Sequence, residues 1–278
     1  MNEIKLIVLL ASLSGLLLVV GYFIAKGRGV LIALVIALVT NFGGYWYSDS
    51  IVLRMYDARP VTRTDAPILY DVVESLASKA KIPTPKMYII PKESPNAFAT
   101  GRDEDHAAVA VTTGILRILN RDELEGVIAH ELSHIKNKDI LISTMAATIA
   151  TAVVLLSRWA MFFGSGEEGS TIGTIAVAIV APVAATVIQM AISRSREYDA
   201  DAGVAQVSGK PEALASALAK LSKAATIRPM NANPSTAHMF IVNPLSGGTI
   251  MNLFSTHPPL EKRIERLLKM RTESLITR

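Results

Sequence analysis

The chain of 278 residues contains no cysteine, and only 19% of its residues are charged. Without cysteine it can form no disulfide scaffold, no thiolate zinc site and no cysteine nucleophile. It also lacks the Gly-rich signatures of nucleotide-binding loops and the G-x-S-x-G turn of serine hydrolases, which excludes several common enzyme classes. Half of its residues are hydrophobic, a proportion typical of a membrane protein when charge is this low.

Four long apolar segments account for this composition. They cover residues 4–25, 30–47, 140–163 and 171–192. A helix needs about 20 apolar residues to cross a hydrocarbon core of about 30 Å, so each segment predicts a transmembrane helix. The connection around Lys26 and Arg28 and the polar, Gly-rich connection at 164–170 arrange the four helices as two hairpins. The second segment is the weakest, because Asn41 and its neighbouring glycines interrupt it.

Four spans place both termini and the central segment on the same side of the membrane. Most positive charges near the span ends lie on that side, whereas Lys26, Arg28 and Arg158 lie on the other. The positive-inside rule therefore predicts that the central and C-terminal segments are cytoplasmic. This orientation also explains the net charge of +4, and no basic surface with interleaved aromatic residues indicates a nucleic-acid partner. Membrane lipids are the expected contacts.

The pattern HELSH at residues 130–134 indicates a metal site. On an α-helix His130 and His134 lie on one face and can bind one tetrahedral metal, with Glu131 beside the open coordination position. Zinc lowers the pKa of a bound water from about 15.7 to about 7, and the glutamate can accept the proton as the water attacks a carbonyl. Asn120 and Glu123 predict a capping box for this helix. The alternative is an exposed helix whose histidines fall four apart by chance.

A catalytic zinc site usually takes three protein ligands, and Glu197 is the candidate for the third. Asp201 lies four residues later on the same helical face, where it could orient a ligating histidine. The charged run around them would equally suit an exposed helix. However, His134 precedes the third apolar segment by six residues and Glu197 follows the fourth by five. At 1.5 Å per residue both lie roughly 8 to 9 Å beyond the bilayer edge, which favours one zinc ion per chain at the membrane surface.

The remaining segments predict a mainly α fold with a small β-sheet, added to the four transmembrane helices. Asp65 is expected to cap a helix that ends before Pro83, and strands are expected at 86–90 and 107–111 with an irregular or edge segment between them. Amphipathic helices follow through Leu214 and through Leu260. The long connection at 227–254 is either a lid over a cleft or disordered. The predicted boundaries are a hairpin at 1–48, a soluble segment at 49–138, a second hairpin at 139–193 and a second soluble segment at 194–278.

With these motifs in this order, over nearly its whole length, the chain resembles the HtpX-type membrane zinc metalloproteases, which are related to the CAAX prenyl endopeptidases. The resemblance implies an α+β, zincin-like protease domain divided between the two soluble segments. It implies one Zn²⁺ per chain, bound by His130, His134 and Glu197. It also implies that Glu131 is the general base and that Asp201 supports the ligands.

The same resemblance implies further site residues and a function. Asn96, Ala97 and Phe98 match a substrate-binding edge to which an extended peptide adds as a strand. His257 and Arg263 match groups that contact the tetrahedral intermediate. The expected activity is that of an integral endopeptidase of the cell (inner) membrane with its active site facing the cytoplasm. It would cleave unfolded or damaged membrane proteins, in quality control and the stress response.

Two alternatives to this function differ in class. The first is a protease that processes lipidated C-termini, which four spans make less attractive because the related prenyl endopeptidases use more helices to enclose a large chamber. The second is a membrane scaffold with a catalytically silent metal site. The presence of Glu131 argues against the scaffold, because a silent site needs no general base.

Overall fold

The computed structural model describes residues 2–146, 194–227, 236, 239–242 and 258–276. Within these ranges seven helices and four strands can be labelled in chain order. They are α1 (Asn2–Met55), β1 (Arg59–Pro60), α2 (Pro67–Ala80), β2 (Lys86–Ile90), β3 (Ala97–Gly101), β4 (Ala107–Thr112), α3 (Thr113–Ile118), α4 (Arg121–Lys136), α5 (Arg194–Val207), α6 (Pro211–Ile227) and α7 (Leu260–Ile276). Residues 140–146 are also helical.

The helix α1 is a hairpin of two helical segments. Its backbone leaves helical geometry at Ala25 and Lys26, and Lys26 adopts a positive φ of 48°. The two segments then run back along each other so closely that a methyl group at Gly21 or Gly29 would overlap the backbone of the other glycine. Small residues permit this approach, as is common where helices pack in membranes. Further from the turn, the Asn41 side chain donates a hydrogen bond of 2.9 Å to Ser14.

The second half of this hairpin fits a membrane span. Among the described residues, Ala25–Tyr47 is the one helix long and apolar enough to cross a bilayer, and Leu10–Val19 forms a shorter apolar stretch. The third and fourth predicted spans lie outside the described residues except for 140–146. There Ile140, Ile142 and Met145 are buried against the protein. The arrangement of four transmembrane helices therefore stays a prediction.

A mixed four-stranded sheet has the order β1-β2-β4-β3. The parallel pair β2 and β4 lies at its centre, and β1 and β3 pair antiparallel at the two edges. The sequence prediction is confirmed for β2, and for β4 apart from one added residue, because buried strands leave a clear apolar pattern. The predicted edge segment is also confirmed, since β3 lies at a sheet edge.

The predicted cap of α2 is wrong. The helix begins at Pro67 after Ala66, and no side chain caps it. Asp65 instead accepts hydrogen bonds of 2.8 Å from the Thr62 backbone N–H and 2.6 Å from the Thr62 hydroxyl. These local bonds form a turn that uses the carboxylate two residues before the helix begins, while proline at the first helical position needs no partner for its nitrogen.

The two soluble segments of the chain share one hydrophobic core. Helix α2, the sheet and α4 contribute residues from the first segment, and α5, α6 and α7 contribute residues from the second. At the centre, Gly126 of α4 lies against the backbone of Leu214 in α6, and Gly203 of α5 lies against the side chain of Ser133. The fold is therefore mainly helical with a small mixed sheet, and α4 is the helix on which both segments pack.

Candidate metal centre

The N-terminus of α4 is held in place by a capping box that the sequence predicts. The Asn120 side chain accepts from the Glu123 N–H, and the Glu123 carboxylate accepts from the Asn120 N–H, both at 2.9 Å. Lys220 and Ser216 of α6 donate to the same carboxylate at 2.8 and 2.7 Å. Burial opposes ionisation of Glu123, but these donors outweigh it and lower its pKa. The helix that carries the histidines is thereby anchored to the second soluble segment.

The side chains of His130, His134 and Glu197 converge on one point. The two histidine Nε2 atoms are 3.2 Å apart, and each lies 3.6 to 3.7 Å from a Glu197 carboxylate oxygen. Tetrahedral zinc with bonds of about 2.0 to 2.2 Å separates its ligand atoms by about 3.3 to 3.6 Å, so this donor set fits zinc closely. Among the described residues this is the one group of three or more such side chains that could hold a metal ion.

Each of the two histidines also has a carboxylate next to its other ring nitrogen. His130 Nδ1 lies 3.1 Å from Asp201 Oδ1, a contact that is electrostatic rather than a well-aligned hydrogen bond. His134 Nδ1 lies 3.4 Å from Asp139 Oδ2. The sequence predicts the role of Asp201 but not that of Asp139, whose one signal is its position five residues beyond the second histidine. Such carboxylates orient ligating rings and raise their basicity.

Burial dominates the electrostatics of the site. It raises the pKa of Glu131 to about 7, to which the nearby Glu197 charge contributes. It lowers the pKa of His130 to about 4. Burial would also lower the pKa of His134, but contact with Asp139 and the charges of Glu197 and Glu131 raise it to about 9. A carboxyl with a pKa near 7 is matched to proton transfer at neutral pH.

A small cavity of about 30 Å³ lies over this group of side chains. Ala99 of β3, Glu131, Glu197, Phe240 and Ile241 are among the residues that line it. The Ala99 backbone N–H also hydrogen-bonds the Glu131 carboxylate. The cavity therefore lies between α4 and the edge of β3 with which no other described strand pairs, and it has room for one or two water molecules rather than for a peptide.

The residues at the start of β3 contact a segment of the chain itself. Asn96 donates from its side chain to the Val242 carbonyl at 2.8 Å, and the Ala97 carbonyl accepts from the Ile241 N–H at 3.1 Å. Phe98 is fully buried between Tyr56 and Phe240, whose ring centroids lie 6.0 and 5.2 Å away. The side chain of Phe98 thus faces a core, and the backbone of the edge beyond Ala97 is what faces the cavity.

Arg263 reaches this site from α7, with 1% of its surface exposed. Its Nε and Nη2 donate to both oxygens of Asp201 at 2.9 and 2.8 Å, and Nη1 donates to the Ile241 carbonyl at 3.3 Å. Nη1 also lies 3.4 Å from Glu197 Oε2, and Nη2 lies 3.4 Å from His130 Nε2. The structure therefore brings Arg263 into the site, whereas His257 lies outside the described residues.

A helix that carries two histidines and a glutamate, a third ligand from another helix and an adjacent edge strand together define a metallopeptidase. The sequence profile of peptidase family M48 matches residues 64–271, and the chain belongs to this family. Three proteins, each described as a protease HtpX homolog, are similar to it over most of both chains. They come from Desulforapulum autotrophicum (56% identity, 96% of this chain and 89% of the relative), Pyrococcus furiosus (57%, 95% and 94%) and Paraburkholderia phytofirmans (54%, 97% and 97%).

A solved structure supports the fold. The crystal structure of S. mikatae Ste24p matches with a TM-score of 0.52 at 19% identity, and the match covers 96% of this chain and 65% of that one. The chain is a membrane metalloprotease, and its metal is zinc. The resemblance inferred from the sequence motifs is confirmed.

Proposed function

We propose that this protein is a zinc endopeptidase that cleaves unfolded or damaged membrane proteins at the cytoplasmic face of the cell (inner) membrane. The observation that carries the proposal is the convergence of His130, His134 and Glu197 at zinc-ligand distances, with Glu131 beside them at the cavity. A scaffold would need no such buried carboxyl next to its metal, because burying an ionisable group without a use costs stability.

In the proposed mechanism, His130, His134 and Glu197 hold the metal. When bound, zinc supplies a Lewis acid that makes water nucleophilic at neutral pH and polarises a peptide carbonyl. Glu131 accepts a proton from the attacking water and then donates it to the leaving amine nitrogen. Burial assists both steps, since a carboxyl with a pKa of about 7 exchanges protons readily in either direction near neutral pH.

Two further basic groups have proposed roles. Arg263 holds Asp201 with two of its nitrogens, and its Nη1 is close enough to Glu197 to stabilise negative charge that develops in the site. His257 lies six residues before Arg263 in the sequence, and we propose that it contacts the reacting carbonyl as the family resemblance implies.

The substrate is proposed to add as an extended strand to the free edge of β3. That edge faces the cavity at Ala99, and antiparallel pairing would align a peptide bond with Glu131. Asn96, Ala97 and Phe98 form the start of this edge in our proposal. Because the Ala97 carbonyl already binds Ile241, a peptide must pair beyond this point or displace residues 239–242.

We infer that the active site lies close to the membrane, and two contacts of β3 with α1 support this position and membrane proteins as substrates. The second half of α1 continues past Tyr47 to Met55, and Val52 and Leu53 pack in one core with Phe98 of β3. At the other end of β3, Arg102 stacks on Trp46 with 4.7 Å between the guanidinium carbon and the ring centroid. Because Trp favours the membrane interface, this contact supports a position of the edge strand β3 beside that interface. We propose hairpins at 1–48 and 139–193 and a protease domain formed by 49–138 and 194–278.

Replacement of Glu131 by Gln tests the mechanism. Glu131→Gln keeps the size of the side chain but removes the base, so we expect normal zinc content and a loss of cleavage of about 10² to 10⁴-fold. Cleavage of casein and of a loosely folded membrane protein would be followed in detergent, with and without a chelator. Glu125→Gln is the matched control, because Glu125 lies on the same helix and pairs with Lys210 at the surface. Undiminished cleavage by Glu131→Gln would remove Glu131 from the mechanism.

The proposed orientation can be tested with single cysteines, since the chain has none of its own. Arg28 in the turn of the hairpin and Asp105 beyond β3 are both exposed. We expect a membrane-impermeant maleimide to label Arg28→Cys on intact cells and Asp105→Cys only in inverted vesicles. The opposite labelling pattern would place the active site outside the cytoplasm.

A further inference from the structure

The environment of Asp139 resembles that of Asp201, although the two residues lie in different parts of the chain. Asp201 contacts Nδ1 of His130, and Asp139 contacts Nδ1 of His134. Both carboxylates are buried, with 1% and 8% of the side chain exposed. The structure therefore gives each of the two histidines its own carboxylate on the ring nitrogen that faces away from Glu197.

Each carboxylate is in turn paired with an arginine from the second soluble segment. Arg263 binds Asp201, and Arg196 Nη1 lies 3.4 Å from Asp139 Oδ1. Arg196 is buried and immediately precedes Glu197 in α5. Two series of contacts thus run from an arginine through an aspartate to a histidine. One ends at His130 and the other ends at His134.

The end of α4 explains how Asp139 reaches His134. Lys138 adopts a left-handed conformation with φ of 59°. The Lys138 N–H then donates to the Ile135 carbonyl and the Asp139 N–H to the His134 carbonyl, each at 2.9 Å. These two bonds form a Schellman motif, which folds the chain back over the last helical turn. The turn places the Asp139 carboxylate next to the His134 ring instead of in solvent.

Asp139 also begins the helical stretch at 140–146, because its carbonyl accepts from the Ser143 N–H at 3.2 Å. A purely structural role as a helix cap would account for an aspartate here. That role would not explain why both carboxylate oxygens have partners outside this helical stretch, where Oδ2 contacts His134 and Oδ1 contacts Arg196. A buried carboxylate between a cation and a metal-facing imidazole is instead suited to hold the ring.

We propose that Asp139 is a positioning residue that orients His134 toward the metal, and that Arg196 fixes Asp139 in that position. The inference rests on the proposed metal site and adds a residue to it. Asp139 fixes which nitrogen of His134 carries the proton, so that Nε2 presents its lone pair to zinc. The paired arginine holds the carboxylate beside the His134 ring and prevents it from rotating toward the helix that follows.

Two substitutions separate this role from that of a helix cap. Asn and Ser both cap helices well, so Asp139→Asn and Asp139→Ser preserve capping. Neither residue carries the charge, and Ser is too short to reach His134. We expect both variants of the full-length protein in detergent to bind Zn²⁺ about 10 to 100-fold more weakly by chelator competition. The visible spectrum of bound Co²⁺ should change as well, whereas a purely structural loss that leaves Arg196 without its carboxylate would lower the unfolding temperature of the metal-free protein without changing that spectrum.

Asp103→Asn is the matched control. Asp103 also contacts a histidine, His106 at 2.6 Å, but this pair is exposed and remote from the metal group. Its zinc affinity should equal that of the parent. Parent-like zinc affinity in both Asp139 variants would overturn the inference while leaving the metal site intact. A parent protein that binds no zinc would instead overturn the proposed function itself.

Arg196→Met should also weaken zinc binding, and in the double variant with Asp139→Asn the two losses should not add.

Discussion

Arg263 is the largest of the fully buried side chains in the described part of the protein, and it is charged. It can be buried because its rigid fork matches both oxygens of Asp201, and its remaining nitrogen reaches a backbone carbonyl and Glu197. Removal of one partner from such a buried pair leaves the other charge uncompensated. The residue therefore acts on the structure of the site as well as on its charge.

Arg263→Met should destabilise the protein by about 3 to 5 kcal/mol, because Asp201 and Glu197 would be left as buried carboxylates without their cation. Arg263→Lys keeps a charge but not the fork, and we expect a smaller loss. Thermal unfolding in detergent and zinc content would measure both effects. The control is Arg266→Met on the same helix, where the exposed arginine stacks on Tyr198 at 4.1 Å and contributes about 0.5 to 1 kcal/mol. Equal losses at the two positions would contradict the assigned role.

At the scale of the helices, α4 and α6 approach each other closely at Gly126. A Cβ atom at Gly126 would lie 2.6 Å from the backbone nitrogen of Leu214 and 2.9 Å from its Cα. Because these are backbone atoms, a side-chain movement cannot relieve the overlap. The glycine therefore allows α6 to pack directly on the helix that carries the two histidines.

Gly126→Ala should force α6 away from α4 and cost about 1 to 3 kcal/mol, despite the better helix propensity of alanine. The unfolding temperature of the detergent-purified protein would measure the loss. Gly15→Ala is the control, because that glycine is also helical but a Cβ atom there would meet no other atom within 4 Å. We expect Gly15→Ala to be neutral or slightly stabilising. A neutral Gly126→Ala would show that the two helices can separate without cost.

Element by element, the sequence predicted best where the signal is local. The capping box at Asn120 and Glu123 and the strands β2 and β4 follow from short patterns, and the structure confirms them. Asp65 was a wrong prediction because a competing local turn with Thr62 uses the same carboxylate. Asp139 was missed because its role depends on a left-handed Lys138, a conformation that lysine rarely adopts and that no sequence pattern signals.

At the scale of the whole molecule, the candidate metal ligands come from two parts of the chain that are remote in sequence. His130 and His134 belong to the first segment and Glu197 to the second. Zinc bound by these three side chains would therefore stabilise the association of the segments as well as the local site. A ligand that binds only the folded state stabilises it by about 4 kcal/mol when its free concentration is about 1,000 times its dissociation constant.

Removal of zinc by a chelator should lower the unfolding temperature of the parent protein and increase its cleavage by an added protease between the two segments. Restored zinc should reverse both changes, because binding is coupled to folding. Glu197→Gln serves as the comparison, since its unfolding temperature should respond weakly to zinc. An unfolding temperature in the parent that is independent of zinc would mean that the segments associate fully without the metal.

The sequence by itself determined the class of this protein and named the three candidate metal ligands that the structure brings together. Composition and periodicity can be recognised without knowledge of the fold. They include the histidine pair at helical spacing, the glutamate at a matching distance from an apolar segment and the long apolar runs. Tertiary structure alone decided that Arg263 is buried against Asp201, that Phe98 turns into an aromatic core and that Arg196 meets Asp139. These contacts join residues dozens of positions apart, so their geometry depends on how the helices and the sheet pack together.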